Sequence, residues 1–305
     1  NLGDISVLLG NGEGIFSEPE HYPTGGDHSY SISAADLDRD GNTDLVTANR
    51  YSDNISLFYG NGNGRFQHAV NFEVGDEPWS VVCHDFDSDG YKDMAVANGY
   101  SANVMIFYGN GDGSFSGPLE FSTPQIPVSM AAGDFDLDGD IDIAVDSYWV
   151  HRISILLNNG SGRFSQSVHY GTGMNPYCIT TGDFDGNGYP DLATANNDSD
   201  DLTILMGNKY LSFKTVTYSC VGIGPRGITS ADFDGDGHWD LASVNENSQD
   251  ISIISSNGDG SFSFSIKYFT GWNPEAVTTA DFNGDGRIDL AVSSDGVSVL
   301  INITE

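Results

Sequence analysis

The sequence predicts an all-β fold, a β-propeller of four-stranded antiparallel blades, and three observations carry that prediction. First, a nine-residue pattern, Asp-x-Asp-x-Asp-Gly-x-x-Asp with an occasional Asn, occurs six times, at 36–44, 85–93, 134–142, 183–191, 232–240 and 281–289. Each copy starts 49 residues after the last, so one supersecondary unit is repeated without length drift. Second, the residues between copies form short β-branched and aromatic runs separated by Asn-Gly and Asp-Gly, the pattern of strands joined by hairpins. Third, no 11-residue window has helical periodicity, while 38 glycines supply tight turns.

Within one unit the elements follow in order. Ser80–Cys83 is a first strand, A, leading into the acidic loop. Met94–Ala97 forms strand B and Val104–Tyr108 strand C. The turn Gly109-Asn110-Gly111-Asp112-Gly113 then leads through Phe115 to strand D near Leu119–Phe121. Four antiparallel strands in about 45 residues make a propeller blade. At the C-terminal end A, B and C are present (276–280, 289–292, 297–301), and the chain then stops. The missing D strand is expected from Glu18–Tyr22, so that N- and C-terminal strands share one blade and hide its edges. Residues 5–10 resemble one more C strand, which leaves six blades with a spare strand, or alternatively seven with one incomplete. Residues 1–305 are expected to form a single propeller domain.

Charge narrows the function. Eleven Lys and Arg face 44 Asp and Glu, for a net charge of −33. Such a chain lacks the clustered cations that nucleic acid or an anionic leaflet requires. It has no 18-residue apolar run to span a membrane and no leader-like start, so no membrane insertion is expected. Three cysteines, Cys83, Cys178 and Cys220, are too few for a disulfide framework. Asn-x-Ser/Thr triplets at Asn54, Asn159, Asn197 and Asn302 are compatible with an extracellular location.

The acidic loops read as cation sites. Side chains at positions 1, 3, 5 and 9 with a carbonyl at position 7 suit a hard ion taking six to eight oxygens, and Gly at position 6 permits the turn. The candidate ligands are Asp36, Asp38, Asp40, Asn42 and Asp44 in the first loop, then Asp85, Asp87, Asp89, Tyr91 and Asp93. The third and fourth loops offer Asp134, Asp136, Asp138, Asp140 and Asp142, then Asp183, Asp185, Asn187, Tyr189 and Asp191. The last two offer Asp232, Asp234, Asp236, His238 and Asp240, then Asp281, Asn283, Asp285, Arg287 and Asp289. Position 7 enters each set through its backbone carbonyl. A large, protein-derived oxygen set favours calcium over magnesium, about six ions in all. An EF-hand is excluded because position 12 is Thr47, Val96, Val145, Thr194, Ser243 or Val292 instead of a bidentate Glu.

Asp-Phe-Asp-Gly-Asp-Gly-x-x-Asp-Leu, then Ala-x-x-Asn, then a strand ending in Gly-Asn-Gly-x-Gly-x-Phe, resembles the FG-GAP/VCBS repeats of integrin α-subunit propellers. The resemblance covers the whole chain. It implies a calcium-binding propeller used for adhesion or recognition, without implying one ligand. Unlike integrins, this chain carries the cation loop in every repeat, and no appended domain is expected.

Connectivity places A–B and C–D loops on one face and B–C and D–A loops on the other. The variable B–C and D–A loops expose aromatic candidates for ligand binding: Tyr30, Tyr51, Trp79, Tyr100, Trp149, Tyr177 and Trp272. The repeated Phe66, Phe115, Phe164, Phe213 and Phe262 are instead expected to pack between blades. No Gly-x-Ser-x-Gly, His-Glu-x-x-His or phosphate-cradling loop is present, so no catalytic residue is assigned. The expected function is an extracellular, calcium-stabilised recognition module for protein or carbohydrate. The alternatives are a polysaccharide-active lyase or hydrolase on the same scaffold, or a structural module of a larger adhesin.

Overall fold

The computed structural model describes residues 3–165, 168–218 and 221–304, and among them every regular element is a β-strand. The chain opens with a two-stranded sheet, β1 (Asp4–Val7) against β2 (Glu20–Pro23). Blade one is β3 (Ser29–Ala35), β4 (Asp44–Asn49), β5 (Asn54–Phe58) and β6 (Val70–Glu73). Blade two is β7 (Pro78–His84), β8 (Asp93–Asn98), β9 (Asn103–Gly109) and β10 (Phe115–Ser122). Blade three is β11 (Pro127–Gly133), β12 (Asp142–Ser147), β13 (Arg152–Leu156) and β14 (Val168–Gly171). Blade four is β15 (Pro176–Gly182), β16 (Asp191–Asn196), β17 (Asp201–Met206) and β18 (Lys214–Tyr218). Blade five is β19 (Pro225–Ala231), β20 (Asp240–Asn245), β21 (Asp250–Ile254) and β22 (Ile266–Phe269). Blade six has three described strands, β23 (Ala276–Ala280), β24 (Asp289–Ser294) and β25 (Gly296–Leu300). All pairings are antiparallel and follow chain order, the six-blade propeller that the repeat predicts.

The burial pattern explains why strands B and C read as unbroken apolar runs. β4, β8, β12, β16 and β20 are covered on both faces by neighbouring blades, so few positions are free to be polar. Leu37, Val46, Ile55 and Leu57 of blade one pack with Val81, Met94, Val96 and Phe107 of blade two. The core therefore lies between blades, and each fully buried Leu, Ile or Phe contributes about 1.5–3 kcal/mol. The A strands β3, β7, β11, β15, β19 and β23 neighbour one another in sequence around the axis.

Ring closure differs from the expectation. β2 does supply a D-type strand, but it pairs with β1, from Asp4↔Pro23 to Val7↔Glu20. β25 pairs only with β24 among the described residues. The local Asn11–Gly14 turn holds β2 beside β1, where Asn11 N–H donates to the Ile15 carbonyl at 3.0 Å, so β2 never reaches β25. The pair β1–β2 instead fills a seventh position between the last and first blades. On one side Gly14 N–H donates to the Phe282 carbonyl at 3.2 Å and Phe16 meets Phe282 edge-on at 5.8 Å. On the other side Tyr22 meets Phe58 and Phe66 of blade one, at 6.4 and 5.7 Å.

Cys83 and Cys178 are free thiols, and burial pushes Cys83 up to about 12, so it is chemically quiet. Cys220 lies outside the described residues.

One buried group breaks the repeat. Asp146 stands where blades one, two and four carry Ala48, Ala97 and Ala195. Its Oδ2 accepts a 2.6 Å hydrogen bond from the Thr194 hydroxyl, while Oδ1 is buried without a partner. Burial raises the Asp146 carboxyl to about 8. Because the folded pKa lies above the ordinary value, folding takes up a proton, and stability falls as pH rises from about 4 to about 8. Melting in saturating calcium between pH 5 and pH 8 should show this decline, and Asp146→Ala should flatten it and raise the melting temperature at pH 8. An unchanged slope in that variant would exclude the role of Asp146.

Candidate metal loops and the opposite face

The acidic loops are built by backbone hydrogen bonds before any ion is considered. At position 1, Asp36, Asp85, Asp134, Asp183, Asp232 and Asp281 each accept the N–H of the position-6 glycine, at 2.8–3.1 Å. At position 5, Asp40, Asp89, Asp138, Asn187, Asp236 and Asp285 each accept the N–H of position 7, at 2.7–2.9 Å. The position-6 glycines need φ near +90°, for example 89° at Gly90, where a Cβ would be strained. These turns fold the chain so that alternate side chains converge.

In each of five loops three carboxylates converge; Asp44 in the first loop and Asp89, Asp138 and Asp236 at position 5 of later loops stand outside these clusters. Asp36, Asp38 and Asp40 present carboxylate oxygens within 4.8 Å of one another. So do Asp85, Asp87 and Asp93; Asp134, Asp136 and Asp142; Asp183, Asp185 and Asp191; and Asp232, Asp234 and Asp240. The donors are all hard oxygens. In addition, Asp36 Oδ1 and Asp87 Oδ1 are buried with no hydrogen-bond partner, as expected where a cation is to be received. Burial, reinforced by the neighbouring loop carboxylates, raises Asp87 and Asp136 as well. The residues thus fit a hard divalent cation.

The sixth loop differs. Arg287 places its guanidinium 2.5 Å from Asp285, and Asn283 Nδ2 donates to the same carboxylate at 3.0 Å. This loop brings its own positive charge, and Asn283 at position 3 removes one carboxylate from the triad that positions 1, 3 and 9 form elsewhere. Burial and like charge are relieved instead: the Arg287 N–H and neighbouring donors hold Asp285 below its ordinary range.

Position 9 does more than the sequence indicates. Each of its carboxylates is buried and bridges two backbone N–H groups, one at the start of the acidic loop and one just after strand C. Asp93 takes Phe86 N–H at 2.7 Å and Gly109 N–H at 2.8 Å, and Asp191 takes Phe184 at 2.7 Å and Gly207 at 2.6 Å. Asp44, Asp142, Asp240 and Asp289 repeat the arrangement. Position 9 is therefore a structural rivet as well as a member of four carboxylate clusters. The position-7 side chains Asn42, Tyr91, Asp140 and His238 lie against Gly62, Gly111, Gly160 and Gly258, which puts the acidic loops beside the C–D turns on one face.

The opposite face sorts the seven aromatic candidates into two groups. Tyr51, Tyr100, Trp149 and Trp272 are exposed, at 56, 61, 58 and 63%. Tyr30, Trp79 and Tyr177 are not open to a ligand in the same way, because they pack together where the A strands begin. Tyr30 meets Trp79 at 4.8 Å and Tyr177 at 6.4 Å, joined by Val128 and Tyr148. Each ring is the second residue of an A strand, β3, β7 or β15, so the three gather where these innermost strands begin.

Six matches to the FG-GAP-like repeat span residues 1–47, 36–96, 85–145, 146–194, 183–243 and 232–292. The chain belongs to the FG-GAP-like repeat family. No curated protein matches it in sequence. Among solved structures, this FG-GAP-like chain is similar to the periplasmic gluconolactonase of Pseudomonas aeruginosa, with a TM-score of 0.71, 12% identity, and 99% of this chain and 82% of that chain covered. It is also similar to an Agrocybe aegerita lectin that recognises non-reducing terminal N-acetylglucosamine, at TM-score 0.61 and 15% identity over 99% and 90% of the two chains. A third similar structure is BBS1N in complex with ARL6DN, at TM-score 0.66 and 17% identity over 92% and 81%. At these identities the likeness shows the propeller fold and nothing finer.

Two arginines of the FG-GAP-like propeller escaped the sequence reading. Arg226 pairs with Glu246 at 2.9 Å and Glu275 at 3.1 Å, donates to the Tyr177 hydroxyl at 3.1 Å, and lies near the Tyr30 hydroxyl at 3.5 Å. Its Nε is buried without a partner. Arg50 lies over the Trp79 ring at 3.7 Å and the Tyr51 ring at 5.0 Å, and pairs with Glu77 at 3.0 Å. The available signal was that both belong to a set of only 11 basic residues in a strongly acidic chain.

Proposed function

We propose that residues 1–305 form one extracellular, calcium-stabilised recognition propeller, which binds carbohydrate or protein through the face opposite the acidic loops. The observation that carries this reading is the exposure of Tyr51, Tyr100 and Trp149 at the same B–C position of three consecutive blades. Backbone bonds hold the loop at two of them, Tyr51 N–H to the Asp27 carbonyl and Tyr100 N–H to the Asp76 carbonyl, both 3.2 Å. Aromatic side chains on such anchored loops have few torsions to freeze on binding and offer apolar faces for stacking. The acidic chain favours a neutral or cationic ligand over a nucleic acid. Asp38, Asp87, Asp136, Asp185 and Asp234 would hold calcium at the opposite end, and extracellular calcium is abundant enough for sites of modest affinity.

A glycan array in calcium should show saturable binding. Trp149→Ala or Tyr100→Ala should weaken it roughly ten- to a hundred-fold, equivalent to about 1.4–2.8 kcal/mol, without lowering the melting temperature. Binding that survives removal of all three rings would defeat this reading.

A second reading rests on the convergence of Arg226, Tyr30, Tyr177, Glu246 and Glu275 at the channel mouth. Such a set supports a polysaccharide-active enzyme in which Arg226 would exchange Glu246 or Glu275 for an anionic group of the substrate. Burial raises the Tyr30 hydroxyl far above its ordinary value, which makes it a donor instead of a base and favours the binding role. Depolymerisation of a polysaccharide, abolished by Arg226→Ala, would establish the second reading over the first.

A further inference from the structure

The Asn-x-Ser/Thr triplets headed by Asn54, Asn159, Asn197 and Asn302 play no part in the propeller repeat, and the fold treats them differently. Asn54 opens β5, is 8% exposed, and accepts the Asn49 side-chain amide at 2.7 Å. Asn302 donates its side-chain amide to two carbonyls, Phe233 at 2.6 Å and Ile288 at 3.2 Å. Asn197 lies where blades four and five meet, and its Nδ2 donates to the Pro225 carbonyl at 3.4 Å. The Ser199 hydroxyl of that triplet is held between Met174 N–H and Asp201, both at 2.9 Å.

Asn159 stands apart. It is exposed, in the C–D turn of blade three. Its Oδ1 is tied to the turn, accepting Ser161 N–H at 3.1 Å, the Ser161 hydroxyl at 2.8 Å and Arg163 N–H at 3.4 Å. Its Nδ2 makes no hydrogen bond among the described residues. The matching turns differ, because Asn110, Asn208 and Asn257 direct that nitrogen to a serine four residues on, Ser114, Ser212 or Ser261. At Asn159 that place is taken by Arg163, whose side chain has no acceptor. The amide nitrogen is therefore left to solvent, with the serine hydroxyl of the triplet already on the amide oxygen.

We propose that Asn159 is an N-glycosylation acceptor, and that the folded chain carries a glycan there in preference to the other three triplets. The inference rests on the extracellular reading above. In the transfer, Nδ2 attacks the anomeric carbon of a lipid-diphosphate-linked oligosaccharide. The C–N bond forms as the C–O bond to the diphosphate breaks, the lipid diphosphate leaves, and the amide gives one proton to the transferase. A glycan is bulky and belongs on the surface. On the other three asparagines it would have to displace a buried strand start, a pair of carbonyl bonds or a seam contact. A Cβ on the adjacent Gly160 would meet Asp140 at 2.6 Å, so the glycan stands beside the third acidic loop. It thus leaves Tyr51, Tyr100 and Trp149 on the opposite face uncovered. A glycan on Asn197 would crowd that face, since Asn197 N–H bonds the Asn175 carbonyl and Asn175 N–H bonds His151 in the loop of Trp149.

The test leads the chain into a eukaryotic secretory pathway with a cleavable leader, so its result does not depend on where the protein resides naturally. The folded, calcium-loaded product is digested with a peptide N-glycosidase in heavy-oxygen water, which converts each glycosylated Asn to labelled Asp, and is mapped by mass spectrometry. Label is expected at Asn159. Asn159→Gln and Ser161→Ala should each abolish it, and Ser161→Thr should keep it, with the melting temperature unchanged. Using both abolishing variants keeps the test valid if one of them disturbs the turn. The assignment is overturned if Asn159 of the secreted, folded protein is unlabelled, or if label appears at Asn54, Asn197 or Asn302. Ligand binding is read separately on the glycan array, so its failure would remove the recognition reading and leave this acceptor standing.

Discussion

Removing divalent cations is expected to lower the melting temperature by about 20 °C or more, with full recovery on adding calcium. Five loops each bring three carboxylates within 4.8 Å, inside a chain that already carries −33. Without a cation these groups repel one another, and two of their buried oxygens, on Asp36 and Asp87, have no donor at all. A cation removes both penalties at once. A site held at a hundred times its Kd contributes about 2.7 kcal/mol, so five independent sites sum to roughly 13 kcal/mol. For a chain of this size about 1 kcal/mol moves the midpoint by roughly 2 °C. Scanning calorimetry in chelator, in magnesium and in calcium measures the effect directly. Magnesium should rescue poorly, because it demands near-octahedral geometry and holds its own waters. A melting curve indifferent to chelator would remove calcium from the account of this fold.

The sixth loop serves as an internal control for that experiment. Arg287 pairs with Asp285, and Asn283 replaces a carboxylate at position 3, so this loop should hold calcium more weakly than the other five. Metal content after equilibration is therefore expected near five per chain, one fewer than the sequence motif alone implies. Arg287→Ala should raise it toward six.

Strands, faces and acidic loops were legible in the sequence because each repeats with fixed spacing and each obeys a local rule. Asp-x-Asp at positions 1 and 3 forces convergence, and Gly at position 6 permits the turn, whatever lies elsewhere. The features that escaped are of two kinds. One is a local side-chain choice that the loop motif does not encode: Arg287 folds back onto Asp285, two residues before it. The others depend on long-range neighbours. Trp79 and Trp149 both look like exposed loop rings in sequence. Only the channel geometry shows that Trp79 meets Tyr30 and Tyr177 while Trp149 stands free. Ring closure failed for a related reason. The Asn11–Gly14 turn pairs β2 with β1 locally, whereas β25 begins at Gly296, far along the chain.

The dual use of position 9 leads to the second large effect. Asp191→Ala is expected to destabilise the protein by about 3–5 kcal/mol in chelator as well as in calcium. Both of its oxygens accept backbone N–H groups, from Phe184 at 2.7 Å and Gly207 at 2.6 Å, and the side chain is fully buried. Its loss strands two buried donors, each costing about 1–3 kcal/mol. Asp185→Ala in the same loop removes no such bridge. It should cost little in chelator and roughly 2–3 kcal/mol in calcium, the worth of one occupied site. Denaturant unfolding of both variants, each with and without calcium, separates the two roles by a thermodynamic cycle. If Asp191→Ala were harmless in chelator, position 9 would act only as a ligand. If Asp185→Ala cost as much in chelator as in calcium, the loop would be a turn that needs no ion. The cycle thus asks of a single nine-residue loop which carboxylate holds the chain and which holds the metal.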